Sequence, residues 1–291
     1  MSYDRLTVPG AHDVSPLAEA VINLPEERGD QRQGEPDALA RRSAELLDQL
    51  QAALVPRARI DQRWGVAWRY RPSDEAMRIG GDFLGVLERP DGSLALLIGD
   101  VAGRGAAAAG LGATLRSAWL ATVHAGISTS EIPSVLDRLL EHHAEDVGVF
   151  ATACFVEVDR SASRVSAISA GHDAPLLITA RETTKLQVDP GPALGLGLSR
   201  ARPFVRTDLP TPGALLLYTD GLTEARERPG APRLGVEGLR KRVDHRQVLA
   251  EPAQQALDEL LRASLPSINR LDDDLAVILV SPRRESVSAS A

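Results

Sequence analysis

Four short apolar segments of the chain each begin or end at an aspartate. The aspartates are Asp82 before FLGVL, Asp100 after LALLIG, Asp220 after ALLLYT, and the run 272–274 before LAVILV. Apolar segments of this length, bounded by glycine or polar residues, are typical of buried β-strands. A carboxylate at the end of a buried strand is costly unless it is paired or coordinates a metal. The pattern therefore indicates that these strand ends belong to one site.

The hydrophobic pattern over residues 59–282 predicts one α+β domain. Strand hairpins are predicted at GDFLGVLERPDGSLALLIGDV, where Pro-Asp-Gly forms the turn, and at FATACFVEVDRSASRVSAISAG. Helices are predicted at GAAAAGLGATLRSAWLATVHAG and SEIPSVLDRLLEHHAEDV, and two more near residues 236–244 and 252–264. Antiparallel hairpins interrupted by helix pairs favour two stacked antiparallel β-sheets flanked by α-helices.

The two ends of the chain differ in composition from this domain. Residues 1–36 lack sustained periodicity and are predicted to be a flexible leader. Residues 37–58 are predicted to form a linker helix, because leucines recur there at helical spacings. This helix either packs on its own domain or forms a homodimer through its apolar face. Residues 283–291 are polar and are predicted to be a disordered tail.

Charge and composition limit the partners of the chain. The 291 residues carry a formal net charge of −7 and no basic cluster, which argues against nucleic acid or an anionic membrane as the main partner. The N-terminus lacks a signal-peptide pattern and Arg116 interrupts the longest apolar run, so a cytoplasmic protein is predicted. The single cysteine, Cys154, lies inside an apolar segment and has no partner for a disulfide within the chain.

The aspartates are suited to hold divalent metal ions. The set contains no histidine or cysteine, and all-oxygen carboxylate sites favour hard ions such as Mg²⁺ and Mn²⁺. Glycines flank the aspartates at Gly80, Gly81, Gly99 and Gly221, and glycine lets the backbone approach a metal or a phosphate closely. Two ions about 3.5–4 Å apart can aim a bridging hydroxide at phosphorus. Any one of these aspartates, taken singly, is equally an ordinary turn residue.

The segment RIGGDF also resembles the Gly-Gly-Asp-Glu-Phe turn of cyclic-dinucleotide synthases, which holds two metals against a nucleotide. Here Phe83 follows Asp82 directly, so the second acidic residue of that turn is missing. Only the predicted leader and one helix precede Arg78, whereas a cyclase has a substantial mixed domain ahead of this signature. The segment is therefore interpreted as a metal-binding turn of a different enzyme.

A series of motifs resembles, in chain order, the PPM (protein phosphatase 2C-type) superfamily. The motifs are RIGGDF, LALLIGDVAGRG, ATACFVEVD, AISAGHDAPLLI, GPALGLG, LLLYTDGLTEAR and DDDLAVILV. The resemblance is nearest to the bacterial SpoIIE/RsbU-like phosphatases that regulate sigma factors, and it runs from about Leu46 to Val280. It implies a PPM-type α-β-β-α sandwich over residues 59–282 and a metal-dependent serine/threonine phosphatase.

The resemblance also implies a role for each candidate residue. Asp100 would bridge two Mn²⁺ or Mg²⁺ ions, the Val101 carbonyl would complete the first ion, and Asp82 would bind that same ion directly or through water. Asp220 and Asp273 would hold the second ion, with the neighbours of Asp273 on either side, Asp272 and Asp274, left open as alternatives. The implied catalytic residues are Asp82, Asp100, Asp220 and Asp273. A metal-bridged hydroxide would attack the phosphoserine or phosphothreonine phosphorus directly.

The implied substrate is a phosphorylated regulatory protein, an anti-sigma factor antagonist. The alternative is a catalytically weak partner-switching module that binds such a protein without turnover. Arg104 stands where the family often has histidine, and Ala276 where it often has threonine, but neither departure removes a metal ligand. His172 matches a family position and is predicted to be structural. The helix pair after Asp100 is implied to control assembly of the metal site.

Overall fold

The computed structural model describes residues 60–73, 80–143, 149–197, 201–228, 230–265 and 271–282. The predicted leader (1–36), linker helix (37–58) and tail (283–291) lie outside the described residues, as does Arg78, so these predictions stay predictions. The chain divides into two compact units, Met1–Ser43 and Ala44–Ala291, and every described residue belongs to the second.

The described strands form two β-sheets. The first sheet contains, in spatial order, β1 (Trp64–Arg71), β11 (Leu275–Pro282), β10 (Gly213–Tyr218), β6 (Leu176–Thr179) and β7 (Thr183–Lys185). The second contains β2 (Phe83–Glu88), β3 (Leu94–Val101), β4 (Ala151–Val158), β5 (Arg164–Ala170) and β8 (Pro190–Gly191), and β9 (Val205–Asp208) also pairs with β5. Neighbouring strands are antiparallel, as predicted, except that the two-residue β8 runs parallel to β5.

Helices cover the outer faces of both sheets. They are α1 (Ala106–His124), α2 (Ile132–His143), α3 (Asp220–Thr223), α4 (Gly235–Arg242), α5 (His245–Ala250) and α6 (Ala253–Ser264). The apolar cluster on the second sheet includes residues of α1 and α2, and the cluster on the first sheet includes residues of α4, α5 and α6. Within the described residues, no helix is both long enough and apolar enough to cross a bilayer.

The helix predicted near residues 236–244 is confirmed as α4, and a further helix that was not predicted follows it. Helix α4 ends at Arg242, and a further helix, α5, begins at His245. The reason is local, because the Asp244 carboxylate accepts hydrogen bonds from the backbone N–H of Arg246 at 2.9 Å and of Gln247 at 3.2 Å. A side chain that caps the start of a helix has to lie outside the preceding one. The helix predicted over 252–264 is confirmed as α6.

A buried layer between the two sheets forms the central core. Alternate residues of β3 point in opposite directions: Leu94, Leu96 and Ile98 lie between the sheets, whereas Ala95 and Leu97 pack under α1 and α2. Both faces of the strand are covered, which is why it reads as a continuous apolar run. Burying each leucine side chain contributes about 1.5–3 kcal/mol. The predicted sandwich of helices, sheet, sheet and helices is confirmed.

Candidate functional site

The candidate aspartates meet at one edge of the sandwich because of antiparallel pairing. Phe83, the first residue of β2, lies opposite Gly99 near the end of β3, so Asp82 and Asp100 are neighbours. Tyr218 at the end of β10 lies opposite Val277 near the start of β11. The residues just outside this second pair, Asp220 and Asp273, therefore leave their strands at the same edge.

The carboxylates at this edge perturb one another strongly. Asp82 is buried, and burial and the charge of Asp100 hold its pKa well above the ordinary value. Burial and the charges of Asp220, Asp273 and Asp274 raise the pKa of Asp100 to about 7, although a hydrogen bond with Asp82 opposes the shift. The pKa of Asp220 is raised by burial and by Asp273. Burial and mutual repulsion therefore disfavour the charged form of each of these carboxylates.

Thr219 fixes the orientation of Asp82, a contact that the sequence interpretation missed. Its side chain is fully buried, and its hydroxyl donates to Asp82 Oδ2 at 2.7 Å and accepts from the Ala276 N–H at 2.8 Å. Thr219 thereby links the end of β10 to β11 and to the turn before β2. The available signal was a polar residue at the end of the otherwise apolar segment ALLLY.

Asp274 holds the glycine turn that carries Asp82. Its carboxylate accepts hydrogen bonds from the Gly81 N–H at 2.8 Å and from the Ser73 N–H and hydroxyl at 2.7 and 2.9 Å. A Cβ on Gly80 would lie 1.8 Å from Asp274 Oδ2, so only glycine fits there. A Cβ on Gly81 would lie 3.0 Å from the Val101 carbonyl oxygen, a close approach that glycine also permits. Asp274 is thus occupied in positioning this turn.

The two other aspartates of the 272–274 run have different surroundings. Asp272 is exposed, with its carboxylate 3.8 Å from the Arg226 guanidinium. Asp273 accepts the Asp274 N–H at Oδ1, and its Oδ2 lies 3.3 Å from Nη2 of Arg104. Of these two aspartates, Asp273 is the one whose charge raises the pKa of both Asp100 and Asp220.

An open cleft of about 320 Å³ lies beside these carboxylates, lined by Asp100, Thr152, Gly171, His172, Asp173, Pro190 and Asp220. His172 is buried in its wall, with Nε2 donating to the Tyr218 carbonyl at 3.1 Å and Nδ1 2.8 Å from the Thr152 hydroxyl. Burial lowers the pKa of His172 to about 4. The imidazole is therefore neutral and held at both nitrogens, which agrees with the structural role predicted for it.

The donor set fits hard divalent cations in its chemistry. The site offers carboxylates and the Val101 carbonyl, and the mutual repulsion of the carboxylates favours a bound cation. Within the described part of the chain, no group of three or more His, Cys, Asp or Glu side chains is already arranged to hold an ion.

The raised pKa values predict an unusual pH dependence for the metal-free protein. Asp100 has a pKa of about 7 in the folded protein against an ordinary 3.8. The folded protein thus binds a proton that the unfolded chain has lost, and stability falls as pH rises between these two values. After a discount for partial exposure, we expect the ionisation of Asp100 to lower the free energy of unfolding by about 1 kcal/mol between pH 5.5 and 7.5.

Melting temperatures in EDTA at pH 5.5, 6.5 and 7.5 would measure this effect, with Asp100→Asn as the matched control. The wild type should lose stability across this range more steeply than the variant. Saturating Mn²⁺ should reverse the trend, because a cation competes with the proton for the same oxygens. Equal slopes for the two proteins in EDTA would contradict the perturbed environment of Asp100.

The chain matches a protein-family model over most of its length. The family model described as Stage II sporulation protein E (SpoIIE) matches residues 90–283. The chain belongs to this family. The resemblance proposed from the motifs is thereby confirmed, and membership of this family argues against the cyclase interpretation of RIGGDF, a segment that lies outside the matched residues.

Individual relatives agree with this assignment. The chain is 23% identical over 214 residues to the phosphoserine phosphatase RsbU of Bacillus subtilis, covering 69% of this chain and 61% of RsbU. It is 24% identical over 187 residues to the phosphoserine phosphatase RsbP of the same organism, covering 63% of this chain and 46% of RsbP. The chain thus spans about half to three-fifths of the length of these relatives.

Solved structures show the same fold. The RsbU and RsbW domains of Rv1364c from Mycobacterium tuberculosis superpose with a TM-score of 0.64 and 29% identity, covering 76% of this chain and 60% of that one. The SiaA-PP2C domain of Pseudomonas aeruginosa gives a TM-score of 0.64 with 21% identity, covering 86% of this chain and 97% of that domain. The PPM-type α-β-β-α architecture expected from the sequence is confirmed.

Proposed function

We propose that the protein is a metal-dependent serine/threonine phosphatase that hydrolyses phosphoserine or phosphothreonine on a regulatory protein. The similarity to RsbU and RsbP, which are named phosphoserine phosphatases, supports the reaction. The proposed substrate, a small anti-sigma factor antagonist, is the one that the resemblance of the motifs to sigma-factor-regulating phosphatases implies. The observation that carries the proposal is the convergence of carboxylates from two strand pairs beside an open cleft, with the pKa of Asp100 raised to about 7.

The chain's own residues divide into metal ligands and groups that position them. Asp82, Asp100 and the Val101 carbonyl would hold one ion, and Asp100, Asp220 and Asp273 the other. The ions, Mn²⁺ or Mg²⁺, supply positive charge that stabilises the phosphoryl oxygens and activates water. Thr219 orients Asp82, and Asp274 holds the glycine turn. The cleft admits the phosphorylated side chain next to Asp100 and Asp220.

Two other candidate nucleophiles, Cys154 and His172, are poorly suited to this reaction. Burial raises the pKa of the Cys154 thiol to about 12, and the residue is fully enclosed. A thiol in that environment stays protonated and inert at neutral pH. His172 already uses both ring nitrogens in hydrogen bonds. These surroundings support direct attack by water over a phosphoenzyme formed on Cys154 or His172.

Phosphate release by the full chain tests the proposal. We expect Mn²⁺-dependent hydrolysis of a small aryl phosphate and faster hydrolysis of a phosphoserine peptide, with both activities abolished by EDTA. A phosphorylated anti-sigma factor antagonist should be dephosphorylated fastest of the three. Absence of metal-dependent release from every substrate would contradict a phosphatase function.

The alternative function is a catalytically weak partner-switching module that binds the phosphorylated protein without turnover. A binding module would form a stable complex with the phosphorylated partner and release no phosphate in Mn²⁺. Binding and phosphate release measured in one mixture separate the two functions.

A homodimer through residues 37–58 and a cytoplasmic location are further predictions from the sequence.

The position of α1 is proposed to control the metal site, and two glycines of this helix test that idea. A Cβ on Gly112 would lie 3.0 Å from the Gly81 carbonyl oxygen, whereas a Cβ on Gly110 would meet nothing within 4 Å. Both substitutions to alanine favour the helix by up to about 1 kcal/mol. We expect only Gly112→Ala to displace the glycine turn, lowering turnover by about tenfold.

Thermal stability and Mn²⁺-dependent turnover of the two variants give the comparison. Gly110→Ala should melt higher than the wild type and keep its turnover. Gly112→Ala should lose part of that stabilisation and most of its turnover. If both variants turn over alike, contact between α1 and the glycine turn does not control the site.

A further inference from the structure

Arg104 contacts Asp273, one of the aspartates of the candidate metal site. It belongs to the segment that joins Asp100 and Val101 to α1, and its side chain is 73% exposed. Its Nη2 group lies 3.3 Å from Asp273 Oδ2 and 3.4 Å from the Asp272 carbonyl oxygen. The guanidinium therefore neutralises the carboxylate that the proposed function assigns to a metal ion.

The segment that carries Arg104 has room to move. Gly103 and Gly105 on either side have φ values of 114° and 82°, and a Cβ on either would meet nothing within 4 Å. Gly105 precedes α1 without a side-chain cap hydrogen bond. An exposed ion pair of this kind contributes little to stability. The contact between Arg104 and Asp273 is thus one that a stronger ligand of Asp273 can replace.

The acidic surroundings of the cleft favour a contact between the displaced arginine and a substrate phosphoryl group. The cleft beside Asp100 and Asp220 is also lined by Asp173, so carboxylates dominate the surface that a phosphorylated side chain meets. In the proposed function the metal ions supply part of the positive charge that a phosphoryl group needs at this surface, and a guanidinium group released from Asp273 would add to it. The planar guanidinium group presents paired N–H donors that match phosphoryl oxygens.

We propose that Arg104 is a movable counter-ion, which pairs with Asp273 in the metal-free protein and contacts the substrate phosphoryl group once a divalent cation binds Asp273. This inference rests on the proposed function. Arg104 and the cation compete for one carboxylate oxygen, so metal binding and release of the arginine are coupled. The exchange makes the phosphate-contacting group available only in the metal-loaded protein.

Two glutamine variants of the full chain test this assignment. Arg104→Gln removes the proposed counter-ion. Arg226→Gln is the matched control, because it removes the same charge from an arginine that lies 3.8 Å from Asp272 and not on Asp273. Mn²⁺ affinity is measured by titration calorimetry. Inhibition by inorganic phosphate, and kcat and KM on a phosphoserine peptide, are measured at saturating Mn²⁺.

We expect Arg104→Gln to bind Mn²⁺ about two- to fivefold more tightly than Arg226→Gln, as loss of an exposed ion pair allows. Arg104→Gln should also raise KM and weaken phosphate inhibition by about tenfold, with a smaller change in kcat. Arg104→Lys should restore Mn²⁺ affinity to the wild-type value but only part of the phosphate inhibition, since lysine lacks the paired donors.

The possible failures are distinct. Equal Mn²⁺ affinities for Arg104→Gln and Arg226→Gln would overturn the counter-ion role while leaving the proposed function intact. Tighter Mn²⁺ binding with unchanged KM and phosphate inhibition would overturn the phosphate contact. A wild-type protein that binds no Mn²⁺ would overturn the proposed function and this inference together.

Discussion

Replacing Asp100 by asparagine is expected to lower Mn²⁺-dependent phosphate release by about a thousandfold, equivalent to about 4 kcal/mol of transition-state stabilisation. Asp100 is hydrogen-bonded to Asp82 and is perturbed by Asp220 and Asp273, so it occupies the centre of the carboxylate group. Asparagine keeps the shape of the side chain but not its charge, and a shared metal ligand needs that charge. Initial rates on a phosphoserine peptide at saturating Mn²⁺ would measure the loss.

Asp220→Asn is expected to show a comparable loss, because Asp220 is proposed to hold the second ion. The control is Asp173→Asn, which alters an exposed carboxylate of the same cleft outside the proposed ligand set. Its activity should stay within about threefold of the wild type. In EDTA, Asp100→Asn should melt above the wild type at pH 7.5, since it removes a repelled carboxylate. Full activity in both ligand variants would show that the proposed site is wrong.

Thr219→Val is expected to weaken both folding and metal binding. The substitution preserves shape but removes the hydroxyl that donates to Asp82 and accepts from the Ala276 N–H. Leaving buried polar groups without partners costs about 1–3 kcal/mol. Loss of a group that orients a metal ligand lowers affinity or activity by about 10–100-fold. Chemical denaturation and Mn²⁺ titration would measure the two effects.

Thr219→Ser is the matched control for this prediction. Serine keeps the hydroxyl and loses only a methyl group, so Mn²⁺ affinity should remain close to that of the wild type. Any loss of stability from the missing methyl should then appear without a loss of metal affinity. Equal Mn²⁺ affinities for Thr219→Val and the wild type would contradict an orienting role for Thr219.

The strands and most helices of the domain were predictable because their signals are local. Apolar runs with glycine-rich turns indicated β3 and β10, and helical spacing indicated α1 and α6. The boundary between α4 and α5 was not predicted, since it depends on whether Asp244 continues one helix or caps the next. The Asp244 side chain decides between these outcomes, and the hydrophobic periodicity of the sequence contains no signal for this capping contact.

The run 272–274 illustrates the same limit at the site. All three residues have the same side chain and precede the same strand. In the folded protein Asp274 binds Gly81 and Ser73, Asp273 contacts Arg104, and Asp272 lies in solvent beside Arg226. The direction of each aspartate side chain follows from the path of the backbone into β11 and from the residues that pack against this segment. These differences support Asp273 as the proposed ligand among the three.

By itself, the sequence determined the strand-end aspartates, the sandwich of sheets and helices, and the resemblance to the PPM superfamily. These features depend on spacing along the chain, which short-range periodicity and motif order record. Only the tertiary structure decided that Thr219 orients Asp82, that Asp274 secures the glycine turn, and that Arg104 reaches Asp273. Each of these contacts joins residues more than 100 positions apart, where strand register and packing, not local pattern, set which side chains meet.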